Sequence, residues 1–202
     1  MSSKILCSDS DYDNECEVVA HYRRDNLYQK LDDPIILRDA VATRRYVSEN
    51  LLDVNMSFFS ASGHGNEEEM IGQDYSPILE IGQYQAHEVS GKIIHFLACS
   101  TAFTLGRDLV NKGCKAFFGY DAKFLYVNKY LREFMAPDMA IDLAIAQGKT
   151  AADVHEIATK IYKELINDPT INPTIAGYLQ TNLTHLCTPV TSNQWGDVAA
   201  SI

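Results

Sequence analysis

Apolar and polar residues follow one another along this chain in a pattern that predicts strands alternating with helices. Short apolar runs of strand length occur at 4–8, 54–60, 92–98 and 114–120. Helical spacing of apolar residues covers 34–52, 101–112, 137–147, 150–166 and 173–187. This alternation predicts an α/β fold with a largely parallel central sheet and helices on both faces.

The segments between these elements carry weaker signals. Residues 9–35 are polar and acidic, and 66–82 are rich in Asn, Gly and charged side chains, so both are predicted to be loops. The tail, 188–202, is predicted to be a loop as well. A chain of 202 residues, of which 46% are hydrophobic, fills one core, so we expect a single domain over residues 1–202.

Composition excludes several classes of partner. The formal net charge of −10 disfavours nucleic acid and anionic membrane surfaces, which call for a basic patch. No stretch approaches the roughly 20 apolar residues of a membrane span, and the N-terminus turns acidic where a signal peptide would stay apolar. We therefore expect a cytoplasmic protein without a membrane partner.

The five cysteines are scattered and include no CxxC pair. A zinc knuckle or a dithiol redox motif is therefore not predicted, and the histidines show no spacing typical of metal ligands. We expect free thiols and neither a metal nor another cofactor.

A histidine and a cysteine each follow a predicted strand directly. The strand at 54–60 leads into Ser-Gly-His-Gly with His64, and the strand at 92–98 leads into Cys99. Functional residues of parallel sheets gather at the carboxyl ends of the strands, so the two side chains are expected to lie together. An imidazole beside a thiol can activate it as a nucleophile. The alternative is structural: His64 as a turn residue and Cys99 as a small buried residue.

Gly65 adds a more specific feature to this pair. Because it has no side chain, its N–H can approach a substrate oxygen closely, and the N–H of Cys99 could supply the second donor of an oxyanion hole. A helix predicted to follow Cys99 would also favour its thiolate through the helix dipole. Asp9, Asp11 and Asp13 follow the first predicted strand, and any one of them could orient His64.

The motifs resemble those of the caspase-like cysteine peptidases. The sequences SGHG and LACS, the segment from Gly91 to Tyr120 and the closing pair Gly196-Asp197 are similar to the branch that contains gingipains, clostripain and bacterial CHAT domains. The similarity covers roughly residues 54–200. The chain departs from the pattern in its short acidic N-terminal region, where a strand would be expected, and in lacking a proline after Asp197.

The resemblance implies a cysteine endopeptidase that acts on a protein or peptide substrate. Cys99 would be the nucleophile, His64 the base and acid, and the amides of Gly65 and Cys99 the oxyanion hole. Asp121 follows the strand at 114–120 and could bind a basic P1 residue through a charge-assisted pair. Control by a regulatory protein partner is expected. The alternatives are a catalytically inactive binding module of the same fold and, less favoured, a flavodoxin-like ligand binder, for which no glycine-rich phosphate loop is present.

Overall fold

A computed structural model describes residues 3–202. Its centre is a six-stranded sheet in the order β2-β1-β3-β6-β7-β8, beside a separate hairpin formed by β4 and β5. The strands are β1 Lys4–Asp9, β2 Ile35–Arg38, β3 Met56–Ser62, β4 Glu69–Ile71, β5 Pro77–Glu80, β6 Ile93–Leu97, β7 Ala116–Tyr120 and β8 Leu186–Cys187. The helices are α1 Asn14–Asn26, α2 Arg44–Leu51, α3 Ala86–Val89, α4 Leu105–Asn111, α5 Leu131–Ala146, α6 Ala151–Asn167 and α7 Pro173–His185.

The first five strands of the sheet are parallel, and the short β8 pairs antiparallel to β7. Alternate residues of each strand face opposite sides, so Phe58 and Phe59 belong to two different hydrophobic layers. One layer packs against α1, α5, α6 and α7, and the other against α2, α3 and α4. The predicted α/β fold, with a largely parallel sheet covered on both faces, is confirmed.

The N-terminal third differs most from the prediction. Residues 9–35 are not a loop, because α1 occupies Asn14–Asn26. The helix predicted over 34–52 is also wrong in its first half, where Ile35–Arg38 form β2 in parallel pairing with β1. The N-terminal region thus contributes two strands: β1, which the apolar run at 4–8 predicted, and β2, which was not predicted. Among the helices of residues 3–202, none is long and apolar enough to pass through a bilayer.

A buried ionic network joins α1 and β1 of the N-terminal region to β6 and α5. The guanidinium of Arg23, on α1, is fully buried; its Nε donates to Asp9 Oδ1 at 3.0 Å, and its Nη1 donates to Asp142 Oδ2 at 3.0 Å. The imidazole of His95, on β6, lies between Asp142 Oδ1 at 2.8 Å and Asp138 Oδ1 at 3.2 Å. Because each charge faces a partner, the network fixes α1, β1, β6 and α5 relative to one another.

Candidate active site

Parallel pairing of β3 and β6 brings His64 and Cys99 to the same edge of the sheet. Ser62 and Leu97 are register partners in adjacent strands, and each candidate residue stands two positions beyond its partner. Both side chains line one cleft of about 570 Å³. Cys99 is partly exposed, whereas the other four cysteines are buried. The two residues that the sequence pattern singled out therefore share a solvent-accessible site.

Asp13 is the carboxylate that contacts His64. Its Oδ2 lies 2.8 Å from His64 Nε2, while its Oδ1 accepts hydrogen bonds from the N–H groups of Glu15 and Cys16 at the start of α1. Burial alone would raise the pKa of Asp13, but the bonds from Cys16 and His64 outweigh it and lower that pKa below its usual value. An ionised Asp13 accepts a hydrogen bond from Nε2–H of His64, which leaves Nδ1 of the neutral imidazole free to take up a proton.

The sequence left Asp9, Asp11 and Asp13 open as partners of His64, and geometry selects the last. Asp9 is instead buried against Arg23, and its Oδ1 accepts a hydrogen bond from Ser62 Oγ at 2.7 Å. Asp11 bonds through its N–H to Gln73 Oε1 at 3.1 Å. The signal that could have selected Asp13 is its place as the residue before α1, where aspartate commonly caps a helix.

The chain turns sharply immediately after Cys99. Ser100 has φ of +60°, a left-handed conformation that costs a non-glycine residue free energy, and its N–H donates to the carbonyl of Ala122 at 3.0 Å. Helix α4 begins only at Leu105, and the N–H of Leu105 donates to the carbonyl of Glu67. The predicted action of a helix dipole on the Cys99 thiol therefore loses its basis, because the helix starts later than the sequence indicated.

The backbone around Gly65 leaves one N–H unpaired. Gly65 faces Met70 in an antiparallel bridge, whose hydrogen bonds run from Ile71 N–H to the His64 carbonyl and from Asn66 N–H to the Glu69 carbonyl. Gly65 and Met70 therefore form a non-hydrogen-bonded pair of the antiparallel ladder, in which the N–H of Gly65 points away from the partner strand. Within residues 3–202, neither this N–H nor that of Cys99 has a backbone acceptor.

Gly65 also fits tightly against the segment that carries Cys99. A Cβ at this position would lie 2.6 Å from Thr101 Cγ2, 3.0 Å from Ala98 Cβ and 3.1 Å from the carbonyl oxygen of Cys99. Only glycine is accommodated there without displacement of a neighbour. The close approach holds the His64 and Cys99 turns side by side.

Two further side chains near His64 were not singled out by the sequence. Cys16, in the first turn of α1, is buried beside His64, and both line the cleft. The ring of Tyr12 lies 5.9 Å from the His64 ring between centroids. Burial raises the pKa of the Cys16 thiol to about 12, and Asp13 contributes in the same direction.

Asp121 stands apart from the cleft. Its carboxylate lies 2.8 Å from Nδ1 of His185, and its N–H donates to the carbonyl of the same residue. It is not among the residues that line the cleft with His64 and Cys99. The charged side chains that do line it are Glu15 and Lys123, beside the aromatic rings of Phe124, Tyr126 and Tyr178.

Comparison with known proteins identifies the fold. No protein-family profile matches this sequence, and no well-characterised protein is significantly similar to it. Among solved structures, the Arg-specific cysteine proteinase gingipain R aligns with a TM-score of 0.63 and 13% identity, over 98% of this chain and 47% of that chain. The fold is caspase-like.

A second solved structure supports the same assignment. The complex of the pro- and mature domains of Porphyromonas gingivalis RgpB aligns with a TM-score of 0.53 and 11% identity, over 91% of this chain and 46% of that chain. The present chain thus spans about half the length of the structures it resembles. At these identities the likeness establishes the fold, and activity must be argued from the site.

Proposed function

We propose that this protein is a caspase-like cysteine endopeptidase in which Cys99 is the nucleophile and His64 transfers protons. The observation that carries the proposal is the hydrogen bond between His64 and Asp13 beside a cleft shared with the one partly exposed cysteine. A carboxylate that fixes the tautomer of a histidine near a nucleophile is the arrangement of acyl-transfer sites. The motif-based likeness to the clostripain and CHAT branch belongs to the same proposal.

The reaction would run through a thioester. His64 takes the proton of the Cys99 thiol, the thiolate adds to the carbonyl carbon of the scissile peptide bond, and the unpaired N–H groups of Gly65 and Cys99 stabilise the resulting oxyanion. Collapse breaks the C–N bond, and the departing amine takes a proton from His64. Water, deprotonated by His64, then hydrolyses the thioester and restores the thiol.

Preference for a basic P1 residue is a further part of the proposal. The net charge of −10 and the carboxylate of Glu15 at the cleft favour a cationic side chain, and gingipain R is described as Arg-specific. The carboxylate of Asp121 already forms a hydrogen bond with His185, so its binding of a basic P1 residue stays a prediction. Glu15, which lines the cleft, is a second candidate for this role. A cytoplasmic location and control by a regulatory protein partner are likewise proposed.

One experiment tests the central assignment. Wild type, Cys99→Ala, His64→Ala and the control Cys187→Ala, which replaces a buried thiol away from the cleft, are compared on fluorogenic peptides with Arg, Lys or neutral P1 residues. We expect Cys99→Ala to reduce turnover at least about 1,000-fold while the control cleaves like wild type. Equal cleavage by wild type and Cys99→Ala would overturn the assignment.

Limited alkylation provides a measurement that does not depend on the peptide chosen. Iodoacetamide followed by peptide mapping should modify Cys99 before the four buried cysteines. A protein that alkylates at Cys99 but cleaves no peptide would favour the alternative, a catalytically inactive binding module of the same fold.

A further inference from the structure

Three chemically different side chains converge beside the cleft. The carboxylate of Asp13, the thiol of Cys16 and the imidazole of His64 each place one possible ligand atom within 4.8 Å of the other two. Asp13 and Cys16 flank the start of α1, whereas His64 follows β3, 51 positions from Asp13. Because this separation forms no local motif, the sequence offered no sign of a metal site here.

The donor set matches a particular class of ion. Thiolate, imidazole and carboxylate are the ligand types that bind Zn²⁺, and three protein ligands with one open position are common in accessible zinc sites. The charge also balances, because Zn²⁺ carries two positive charges and Asp13 with the Cys16 thiolate supplies two negative ones. Because Cys16 is only 5% exposed, a metal site without net charge avoids the cost of burying an uncompensated charge there.

The ligands are already held in place by the fold. Oδ1 of Asp13 is fixed by the N–H groups of Glu15 and Cys16, at 3.1 and 2.9 Å, so Oδ2 remains the atom available to a metal. Cys16 and His64 both line the 570 Å³ cleft, which gives an ion a path from solvent. The buried Tyr12 hydroxyl, which has no hydrogen-bond partner in the described part of the chain, could bond to an outer ligand.

A second cluster of similar composition is less suited to a cation. His95, Asp138 and Asp142 also place their ligand atoms within 4.8 Å of one another, and all three are fully buried. The guanidinium of Arg23, however, lies 3.0 Å from Asp142 Oδ2 and already supplies positive charge there. An added divalent ion would be repelled by Arg23, so this cluster is an ion-pair network.

We propose that Asp13, Cys16 and His64 bind one Zn²⁺ ion and that the bound ion inhibits the peptidase by occupying His64. On binding, the Cys16 thiol releases one proton to solvent, and neutral His64 moves its remaining proton to Nδ1 so that Nε2 can bind the metal. A histidine bound in this way has no nitrogen free to accept a proton. The inhibition rests on the proposed peptidase function, whereas the binding does not.

Metal binding is measured first, without any substrate. The purified chain is titrated with Zn²⁺ against a chromophoric chelator at neutral pH, together with Cys16→Ser, Cys99→Ala and the control Cys187→Ser. We expect one Zn²⁺ per chain, weakened at least about 100-fold in Cys16→Ser and little changed in Cys99→Ala and the control. Mg²⁺ should not compete, because it prefers an all-oxygen site.

Co²⁺ reports the ligand directly, since a bound thiolate gives a charge-transfer absorption in the near ultraviolet. This band should appear with wild type and Cys99→Ala and be absent with Cys16→Ser. Should Cys16→Ser fail to fold, His64→Ala, which alters a partly exposed side chain, must show the same loss of affinity. The proposal is overturned if wild type binds no Zn²⁺, or if Cys99→Ala abolishes binding while Cys16→Ser retains it.

Inhibition is then measured as the activity that remains with Zn²⁺, relative to the zinc-free activity of the same variant. Wild type should lose activity over the concentration range in which Zn²⁺ binds, and Cys16→Ser should need about 100-fold more Zn²⁺ for the same fractional loss. Zn²⁺ binding without any Cys99-dependent cleavage would refute the peptidase function alone. Cleavage that is insensitive to Zn²⁺ at saturating occupancy would refute the inhibitory role.

Discussion

The buried histidine of the ionic network should make stability fall as pH rises above neutrality. Burial of His95 would lower its pKa, but the carboxylates of Asp142 and Asp138 outweigh that effect and raise the pKa from 6.5 to about 9. A histidine whose pKa is raised by folding stabilises the folded state in its protonated form. That contribution is complete below the unfolded pKa and is lost as pH rises through the folded value.

The magnitude follows from the difference between the two pKa values. Each unit is worth about 1.4 kcal/mol, so His95 contributes about 3 kcal/mol at low pH. Linkage predicts that about 2 kcal/mol of this is lost between pH 6 and pH 8. Such a loss is a substantial part of the roughly 5–15 kcal/mol by which a domain is usually stable.

Urea unfolding of wild type and His95→Gln at pH 6, 7 and 8 measures this contribution. The other five histidines are common to both proteins, so the difference between their pH slopes isolates His95. We expect the advantage of wild type over the variant to shrink by about 2 kcal/mol from pH 6 to pH 8. If the two proteins show parallel pH dependences, or if NMR shows the His95 ring titrating near pH 6.5, the reasoning is wrong.

Three further predictions concern single residues. Asp13→Asn should keep the helix cap, so the free energy of unfolding measured in urea should stay within about 0.5 kcal/mol of wild type. Its kcat should fall about 10- to 100-fold because His64 loses its charged partner, and an unchanged kcat would contradict the role given to the carboxylate. Gly65→Ala should cost about 1–3 kcal/mol because its Cβ would meet Thr101 Cγ2 at 2.6 Å, and Thr101→Ser in the same chain should restore part of that loss in thermal unfolding. Trp195→Phe should cost about 1–2 kcal/mol in the same assay, since its Nε1–H donates to a buried main-chain carbonyl at 3.1 Å; no loss would mean that the tail docks by packing alone.

The central strands could be predicted from sequence because both of their faces are buried. β6 is a nearly continuous apolar run, and β3 combines Phe58 and Phe59 with small residues; all residues of the two strands except Ser57 are buried, as is typical of parallel strands covered by helices on two sides. The order of these strands then brought His64 and Cys99 to one edge without any knowledge of side-chain contacts. This prediction required only that β3 and β6 be parallel neighbours in the sheet, as the structure shows.

Helix α1 escaped prediction for a different physical reason. The buried face of α1 is formed by Cys16, Val19, Ala20 and Arg23, so a charged residue stands where an apolar one would signal a helix. Arg23 is buried because carboxylates from β1 and α5 neutralise it, and those partners are distant in sequence. The contact of Asp13 with His64 was missed in the same way, since pairing across the fold leaves no local signature.

Asp13 both caps α1 and holds His64, so the chemistry of the cleft depends on whether the first turn of this helix is folded. Helix ends open more readily than the centre of a sheet. When the first turn of α1 frays, the carboxylate leaves His64 while the sheet remains intact. Activity should therefore fade on heating before the molecule melts, and the amides of the first turn of α1 should exchange their hydrogens over that same interval.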